Sequence, residues 1–238
     1  MRRVRRRGLA QEAADRVRES ILEGRVPPGA PLREVELAAS LDVSRGSVRE
    51  GLAILEREGL VRSEWHRGAR VIELSPTDVN EVYTVRAALE RLATATAAAR
   101  MTPALLADMD SLVEAMQRAV NADADEHTLL ALDMAFHDRV YEAADNGRLT
   151  DAWNGVRSQV HLFQRTRIRR AQAQYRDLLV TEHREMVRLL SRGPSPDLAT
   201  AAEEHVDSAR RALVRILAEP EPESPGRHAL PPNDAAPS

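Results

Sequence analysis

Cysteine and lysine are absent from this chain of 238 residues, and only seven aromatic residues occur in it. The lack of cysteine excludes disulfides, thiolate metal ligands and a cysteine nucleophile. The few aromatic side chains argue against the stacking surfaces that bind single-stranded nucleic acid. No apolar run approaches the roughly 18 residues of a membrane helix, and no apolar signal segment follows the Arg-rich start. We therefore expect a soluble, cytoplasmic protein without a membrane partner.

All 34 basic residues are arginine, and 37 acidic residues leave a formal net charge of -3. The charge is unevenly distributed, since residues 1–75 carry 15 Arg and 12 acidic residues, whereas residues 76–238 carry 19 and 25. Most of the positive excess lies in the first seven residues. Such a run is typical of a solvated, disordered terminus, and it can also serve as an arm that contacts phosphates.

The first 75 residues have the pattern of a small DNA-binding domain. Apolar residues recur every four positions from Leu9 onwards, Ser44 suits a helix N-cap, and Gly59 suits the left-handed position after a helix. The pattern predicts helices over 9–24, 32–41 and 44–58, then strands over 60–63 and 69–74. Three helices followed by a hairpin predict a winged helix-turn-helix, whose second and third helices form the DNA-reading unit.

The rest of the chain is helical in pattern. Three helices are predicted to begin with a Ser or Thr N-cap followed by proline, at Ser75-Pro76, Thr102-Pro103 and Ser195-Pro196. The predicted spans are 76–100, 103–121, 126–144, 148–169, 172–192 and 196–218. Short links between six helices indicate an antiparallel bundle. Residues 219–238 contain six prolines and are predicted to be a disordered tail. The fold class is therefore mainly α, with a winged head and a six-helix bundle.

The predicted third helix presents two arginines near its start. Arg45 and Arg49 lie one turn apart, with Ser44 and Ser47 beside them. Arginine can hold a guanine edge with two hydrogen bonds, and serine suits phosphate or base contacts. Taken alone, the same residues strongly favour an ordinary surface helix with Arg–Glu pairs. Their place in a helix-turn-helix favours the DNA-binding interpretation.

Four polar residues fall on apolar faces of the bundle helices. Asp133 and His137 are four residues apart on one face, and His183 and His205 lie on the apolar stripes of two later helices. A single such histidine is typically a hydrogen-bonded core residue. Burying four unpaired polar groups is unfavourable, whereas one divalent metal ion would satisfy all of them. Three histidines and an aspartate are also compatible with a metallohydrolase, although no general base lies at motif spacing.

The first domain resembles the GntR family of bacterial transcription regulators over residues 10–74. The matched positions are Pro28-Gly29, Leu32-Arg33-Glu34, Leu37-Ala38, Val43-Ser44-Arg45, Val48-Arg49-Glu50, Leu55 to Val61 and Arg67 to Val71. The resemblance implies that Arg45 and Arg49 contact DNA and that Gly68, flanked by His66 and Arg67, enters the minor groove. Several members carry an arginine where this chain has Val35, so Arg33 is the candidate for that phosphate contact. Gly51 replaces a usual alanine, at a small cost in helix propensity.

Residues 76–218 resemble the FCD effector domain of the FadR subfamily, in a shorter, VanR-like version. In many FCD domains an Asp-x-x-x-His pair and two later histidines bind a divalent metal. The resemblance thus implies that Asp133, His137, His183 and His205 bind zinc, nickel or manganese. It also makes Arg86 a candidate partner for a ligand carboxylate, the alternative being an intrahelical pair with Glu90.

Together these observations predict a ligand-responsive transcription regulator and not an enzyme. A homodimer would bind a palindromic operator in double-stranded DNA, and a small organic acid would bind at the metal. Repression relieved by the ligand is the commoner pattern in the family, and such a protein would associate with the nucleoid. The other hypothesis is a structural DNA-binding protein whose bundle only dimerises, which would have no need of inward-pointing histidines.

Overall fold

The computed structural model describes residues 5–64 and 68–219. Within these residues the chain forms nine helices and three short strands. The head elements are α1 (Arg5–Leu22), β1 (Pro31–Leu32), α2 (Glu34–Leu41), α3 (Arg45–Arg57), β2 (Val61–Glu64) and β3 (Gly68–Val71). The bundle elements are α4 (Pro76–Ala98), α5 (Pro103–Asn121), α6 (Glu126–Ala144), α7 (Gly147–Arg170), α8 (Gln172–Leu190) and α9 (Pro196–Ala218). The predicted fold class is confirmed. Three parts of the predicted organisation lie outside the described residues. They are the start of the basic arm, the residues His66 and Arg67, and the tail from residue 220.

The head contains a strand that the sequence does not reveal. Pro31 and Leu32 pair antiparallel with Arg70 and Ala69, so the sheet has three strands in the order β1-β3-β2. The second helix consequently begins at Glu34 and not at Leu32. The reason is that Leu32 is buried in the head core and lies in an extended segment. Two residues are too few for a periodic strand signal.

Gly51 has a role in helix packing that its low helix propensity alone does not indicate. An added Cβ would lie 2.9 Å from the Ala10 carbonyl oxygen and 3.1 Å from the Ala14 backbone nitrogen. The backbones of α1 and α3 therefore approach each other closely at this glycine. Gly59, with φ of +67°, supplies the predicted left-handed residue after α3.

The bundle helices begin where their capping residues predict. Ser75, Thr102 and Ser195 each accept a backbone N–H with their side chain, and Ser75 forms a reciprocal capping box with Asp78. The predicted ends of two helices are slightly too late, since α4 ends at Ala98 and α8 ends at Leu190. No helix of the described residues is long and apolar enough to cross a membrane.

The head and the bundle meet along α7. Leu162 of α7 is buried in the apolar core of the head. Gln159 donates a hydrogen bond of 3.0 Å to the Gly59 carbonyl oxygen, directly after α3. The guanidinium of Arg165 packs against Gly24, which follows α1. One bundle helix therefore contacts both of the head's long helices.

Candidate metal centre and nucleic-acid interface

The four predicted metal ligands converge inside the bundle from three helices. Asp133 and His137 lie on α6, His183 on α8 and His205 on α9. The first three are 1% exposed, and the His205 side chain is 9% exposed. Their burial follows from their places on apolar helical faces, which pack them against the large side chains of the core.

The ligand atoms of His137, His183 and His205 all lie within 4.8 Å of one another, a spacing that suits one metal ion, and Asp133 lies beside two of them. Asp133 Oδ1 is 3.1 Å from His183 Nε2 and 3.8 Å from His137 Nε2, and the Nε2 atoms of His137 and His205 are 3.4 Å apart. Donors bound at about 2.0–2.2 Å around one tetrahedral or octahedral ion lie roughly 3–4 Å apart. The separations fit such an ion.

Hydrogen bonds fix the orientation of all three imidazole rings. Each Nδ1 faces an acceptor: Glu90 Oε1 at 2.6 Å from His137, the Leu179 carbonyl oxygen at 2.6 Å from His183, and Glu182 Oε2 at 2.7 Å from His205. Because these acceptors need a donor, Nδ1 carries the proton in the neutral ring and Nε2 keeps its lone pair. The outer acceptors thereby prepare the Nε2 atoms as metal ligands.

His183 supplies the observation that tests whether a metal fits. Its Nε2 is buried and makes no hydrogen bond, although Asp133 Oδ1 is only 3.1 Å away. With the proton on Nδ1, a nitrogen lone pair faces a carboxylate oxygen, and the two electron-rich atoms repel each other. A cation between them would remove the repulsion, so the chemistry of the donor set fits a divalent ion.

The protonation states also suit metal binding. Burial would raise the pKa of Asp133, but nearby His183, His137 and Arg86 hold it well below the usual range. Burial opposes ionisation of Glu90 too, yet its contact with His137 and the charge of Arg86 lower its pKa to about 2. Burial lowers the pKa of His205 to about 4 despite Glu182. At neutral pH the carboxylates are therefore ionised and His205 is neutral.

Arg86 lies at this centre and not in the intrahelical pair considered above. The residue is fully buried, and its Nη2 donates to His137 Nε2 at 2.9 Å. Its Nε and Nη1 are buried without a hydrogen-bond partner. Arg86 uses the same lone pair of His137 that a metal ion would take. A metal at the centre would therefore leave more of the guanidinium to pair with a ligand.

The sequence did not identify Glu90 and Glu182 as members of the site. Glu90 was considered only as a partner of Arg86, whereas it accepts from His137 and from the hydroxyl of Tyr141 at 3.3 Å. The sequence does contain a signal for Glu90, because this charged residue interrupts an alanine-rich, buried face of α4. Glu182 carries no such signal, since its side chain is a quarter exposed. Of the other histidines in the described residues, His127 is exposed and His161 is partly buried.

The recognition helix presents Arg45 and Arg49 to solvent, with side chains 62% and 68% exposed. In the absence of DNA both face Glu34 of α2. Arg49 binds the Glu34 carboxylate with two hydrogen bonds of 2.8 and 2.9 Å, and Arg45 lies 3.6 Å from it. Two acids near the end of α3 are engaged elsewhere, since Glu58 pairs with Arg18 and Glu56 accepts from Ser63.

The remaining predicted DNA contacts are placed as follows. Ser44 is the N-cap of α3 and accepts from the backbone of Ser47, which is itself buried. The two serine hydroxyl oxygens lie 3.0 Å apart, so a DNA contact by Ser47 requires this contact to open. Arg33 is exposed and pairs with Glu36 at 2.8 Å. Gly68 has φ of +74° and open space around it, as a wing turn requires.

A winged head joined to a helical domain with a buried histidine–carboxylate cluster defines the class of DNA-binding transcription regulators. The family model "Bacterial regulatory proteins, gntR family" matches residues 9–71, and the FCD domain model matches residues 81–208. The chain therefore belongs to the GntR family and carries an FCD domain, which is a metal-binding effector domain. It is a transcription regulator and not an enzyme.

Named relatives agree with this assignment. A probable D-xylose utilization operon transcriptional repressor of Paenarthrobacter nicotinovorans is 35% identical over 158 residues, which cover 66% of this chain and 69% of that protein. An uncharacterised HTH-type transcriptional regulator in an unstable DNA locus of Streptomyces ambofaciens is 31% identical over 205 residues, covering 85% and 84%. A crystal structure of a GntR-type regulator from Rhodococcus sp. RHA1 has a TM-score of 0.71 at 22% identity, over 87% of this chain and 97% of that one. The structural likeness supports the fold alone.

Proposed function

We propose that the protein is a ligand-responsive repressor that binds a palindromic operator as a homodimer and senses a small organic acid at a metal centre. The DNA-binding domain spans residues 1–75, the ligand-binding and dimerisation domain residues 76–218, and a tail follows. The protein would act in the cytoplasm, at the nucleoid. The observation that carries the proposal is the buried Nε2 of His183, which lies 3.1 Å from Asp133 Oδ1 and makes no hydrogen bond.

Asp133, His137, His183 and His205 would hold the ion. Imidazole and carboxylate donors suit zinc, nickel or manganese. When bound, the ion supplies open coordination positions that a ligand carboxylate can fill. The buried and unpaired Nε and Nη1 of Arg86 favour an anionic ligand, because a guanidinium binds a carboxylate with two parallel hydrogen bonds.

On the DNA side, Arg45 and Arg49 would bind base edges in the major groove, and Ser44, Ser47 and Arg33 would contact the backbone. Gly68, with His66 and Arg67, would enter the minor groove. The test is selection of operator sequences from a random duplex pool, followed by affinity measurements. Arg49→Ala should weaken binding to the selected operator about tenfold or more. Arg57→Ala, at the far end of the same helix, should have little effect. Equal affinities for the two variants would contradict base reading by Arg49.

The dimer surface proposed is the outer face of α4. Val85 and Leu92 are 50% and 53% exposed and lie seven residues apart, so they share one face of the helix. A second copy of this face would bury them, and a two-fold protein matches a palindromic operator. Glutamate at both positions should give monomers in sedimentation. Val35→Glu changes another exposed valine, in the head, and should leave the dimer intact. A wild-type monomer at low micromolar concentration would contradict the proposal.

The helix α7 is the proposed link between ligand and DNA. Gln164 of α7 donates to Asp133 at 3.4 Å in the bundle interior. The same helix contacts the head through Ser158, which donates to Glu58 at 3.3 Å, and through Gln159. Both contacts lie at the end of the recognition helix. A ligand that prefers one position of α7 would thus bias the position of the two heads.

The sensing step is tested by DNA release. An organic acid that binds the metal-loaded protein should release the operator, and a chelator should abolish the release. Gln159→Ala should preserve acid binding but reduce the effect of the acid on DNA affinity. Arg148→Ala, an exposed position near the start of α7, is the control. Release of DNA by the acid from metal-free protein would contradict the role of the metal.

A further inference from the structure

The outer face of the wing carries two arginines without acidic partners. Arg62 of β2 and Arg70 of β3 lie directly opposite each other in the antiparallel register. Their neighbours along the strands, Val61 and Val71, are buried in the head core, so the two arginines project from the other face of the sheet. Within the described ranges 5–64 and 68–219, neither arginine forms a hydrogen bond or an ion pair.

Most other arginines of the head are paired with acids. Those in ion pairs are Arg16, Arg18, Arg25, Arg33, Arg45 and Arg49. Arg62 and Arg70 differ, because the residue directly across the sheet from each is the other arginine. The Cβ atoms of such opposite residues are about 5 Å apart, and like charges there destabilise a sheet. An anion between the two guanidinium groups would replace this repulsion by attraction.

An open cleft gives an anion access to both arginines. Arg62 and Arg70 line one cleft of about 770 Å³ between the wing and the start of α4. Two acids, Glu73 and Asp78, also line this cleft, but neither pairs with an arginine of the described residues. The Asp78 carboxylate is held in the capping box, where it accepts from Ser75. Both guanidinium groups are therefore available to a ligand.

The position of the pair along the wing indicates the source of the anion. Gly68 is the first residue of β3, and Arg70 lies two residues further along the strand, a distance of about 7 Å. The minor groove of B-DNA is about 7.5 Å deep, and the phosphates form its rim. A wing whose Gly68 enters this groove would therefore hold Arg62 and Arg70 at the level of the phosphates.

We propose that Arg62 and Arg70 form a phosphate clamp, which binds the DNA backbone beside the minor groove that the wing enters. The partner is a phosphodiester and not a base, because both side chains lie behind the residue that enters the groove. A guanidinium binds phosphate oxygens through parallel hydrogen bonds, and such a contact positions the head without reading sequence. The inference rests on the proposed function, since it requires the wing to enter the minor groove.

The experiment measures the dissociation constants of the full chain for a selected operator and for an unrelated duplex of equal length, at several salt concentrations. Arg62→Gln combined with Arg70→Gln should reduce the slope of log Kd against log salt concentration by about one to two, because each phosphate contact contributes about 0.9. The Kd should rise by a similar factor, about tenfold, for both duplexes. Lysine at both positions should keep most of the slope, since it retains the charge. Arg57→Gln is the control, because Arg57 is exposed at the end of α3 and also lacks an ion pair within the described part of the chain.

Two further measurements separate a DNA contact from a structural role. Without DNA, the double glutamine variant should melt no lower than the wild type, because it removes like charges that face each other in the sheet. Uncharged methylphosphonate linkages scanned through the operator should include a position that weakens binding by the wild type but not by the double variant. A fall in melting temperature that lysine does not restore would assign the pair a structural role and overturn the clamp.

The outcomes also separate this inference from the proposed function. If the double variant keeps the wild-type slope, or if Arg57→Gln lowers the slope equally, the phosphate clamp is wrong. Base reading then stands, provided that Arg49→Ala still loses affinity for the operator more than for the unrelated duplex. If the wild type binds neither duplex, both the clamp and the proposed function are wrong. Should the double variant fail to fold, the single glutamine variants decide, and an unchanged slope in both would overturn the clamp.

Discussion

The head and the bundle both place arginine next to acidic residues, but they do so in opposite surroundings. In the head, Arg45 and Arg49 face Glu34 with more than half of each guanidinium side chain in solvent. In the bundle, Arg86 and Asp133 are 0% and 1% exposed. Exposed ion pairs contribute little to stability, so the recognition arginines can change partners at little cost. A buried charge that loses its partner is costly, so the bundle's stability depends on what occupies it.

The largest effect that this contrast predicts is on metal-dependent stability. A divalent ion present at a thousand times its dissociation constant should stabilise the fold by about 4 kcal/mol. Asp133→Asn removes the carboxylate that lies 3.1 Å from His183 Nε2 and 3.8 Å from His137 Nε2, and should abolish this gain. Thermal unfolding with and without a chelator measures it. His127→Gln, an exposed histidine on the same helix, should retain the full gain. A wild-type melting temperature that a chelator does not change would contradict the metal centre.

A smaller effect is expected from the close approach of two helices in the head. Gly51→Ala should destabilise the protein by about 1–3 kcal/mol, because its Cβ would meet the backbone of α1. Gly155→Ala is the matched control, since it lies on α7 with nothing within 4 Å of the added atom. The Gly155→Ala change should stabilise the folded protein by about 0.5–1 kcal/mol. If denaturant unfolding showed a higher free energy of unfolding for both variants, the inference of tight packing at Gly51 would be contradicted.

We expect the stability of the fold to depend on pH through His161 of α7, which lies between the two regions. Burial, together with the charge of Arg157, lowers its pKa to about 4. Because the unfolded residue titrates near 6.5, the unfolded state binds more protons below that pH. The stability associated with neutral His161 is therefore complete above about pH 6.5 and is lost as the pH falls towards 4. His161→Gln should reduce this loss by about 1–3 kcal/mol, whereas His127→Gln, which removes only one of the charges that lower the His161 pKa, should reduce it less. Equal pH profiles of wild type and His161→Gln would contradict the prediction.

The elements that the sequence predicted well are those encoded locally. Ser75, Thr102 and Ser195 begin their helices because an N-cap acts within one turn of the chain. The burial of the candidate metal ligands Asp133 and His137 was also predictable, since apolar periodicity places both on one inward face. Strand β1 was not, because its pairing depends on a partner almost 40 residues away.

The smallest predicted effect concerns Glu34, which holds both recognition arginines in the free protein. The hydrogen bonds of Arg49 keep the pKa of Glu34 below its usual value, so the carboxylate is ionised at neutral pH. Glu34→Gln keeps the shape but removes the charge, which frees the arginines for DNA. Operator affinity should rise about twofold to fivefold, as for the loss of a competing exposed ion pair, with no change in melting temperature. Asp42→Asn removes an equal charge at the exposed C-cap of the same helix, which is in no ion pair with an arginine of the described residues. A larger gain for Glu34→Gln than for Asp42→Asn therefore measures the specific competition, and equal gains would mean that only net charge matters.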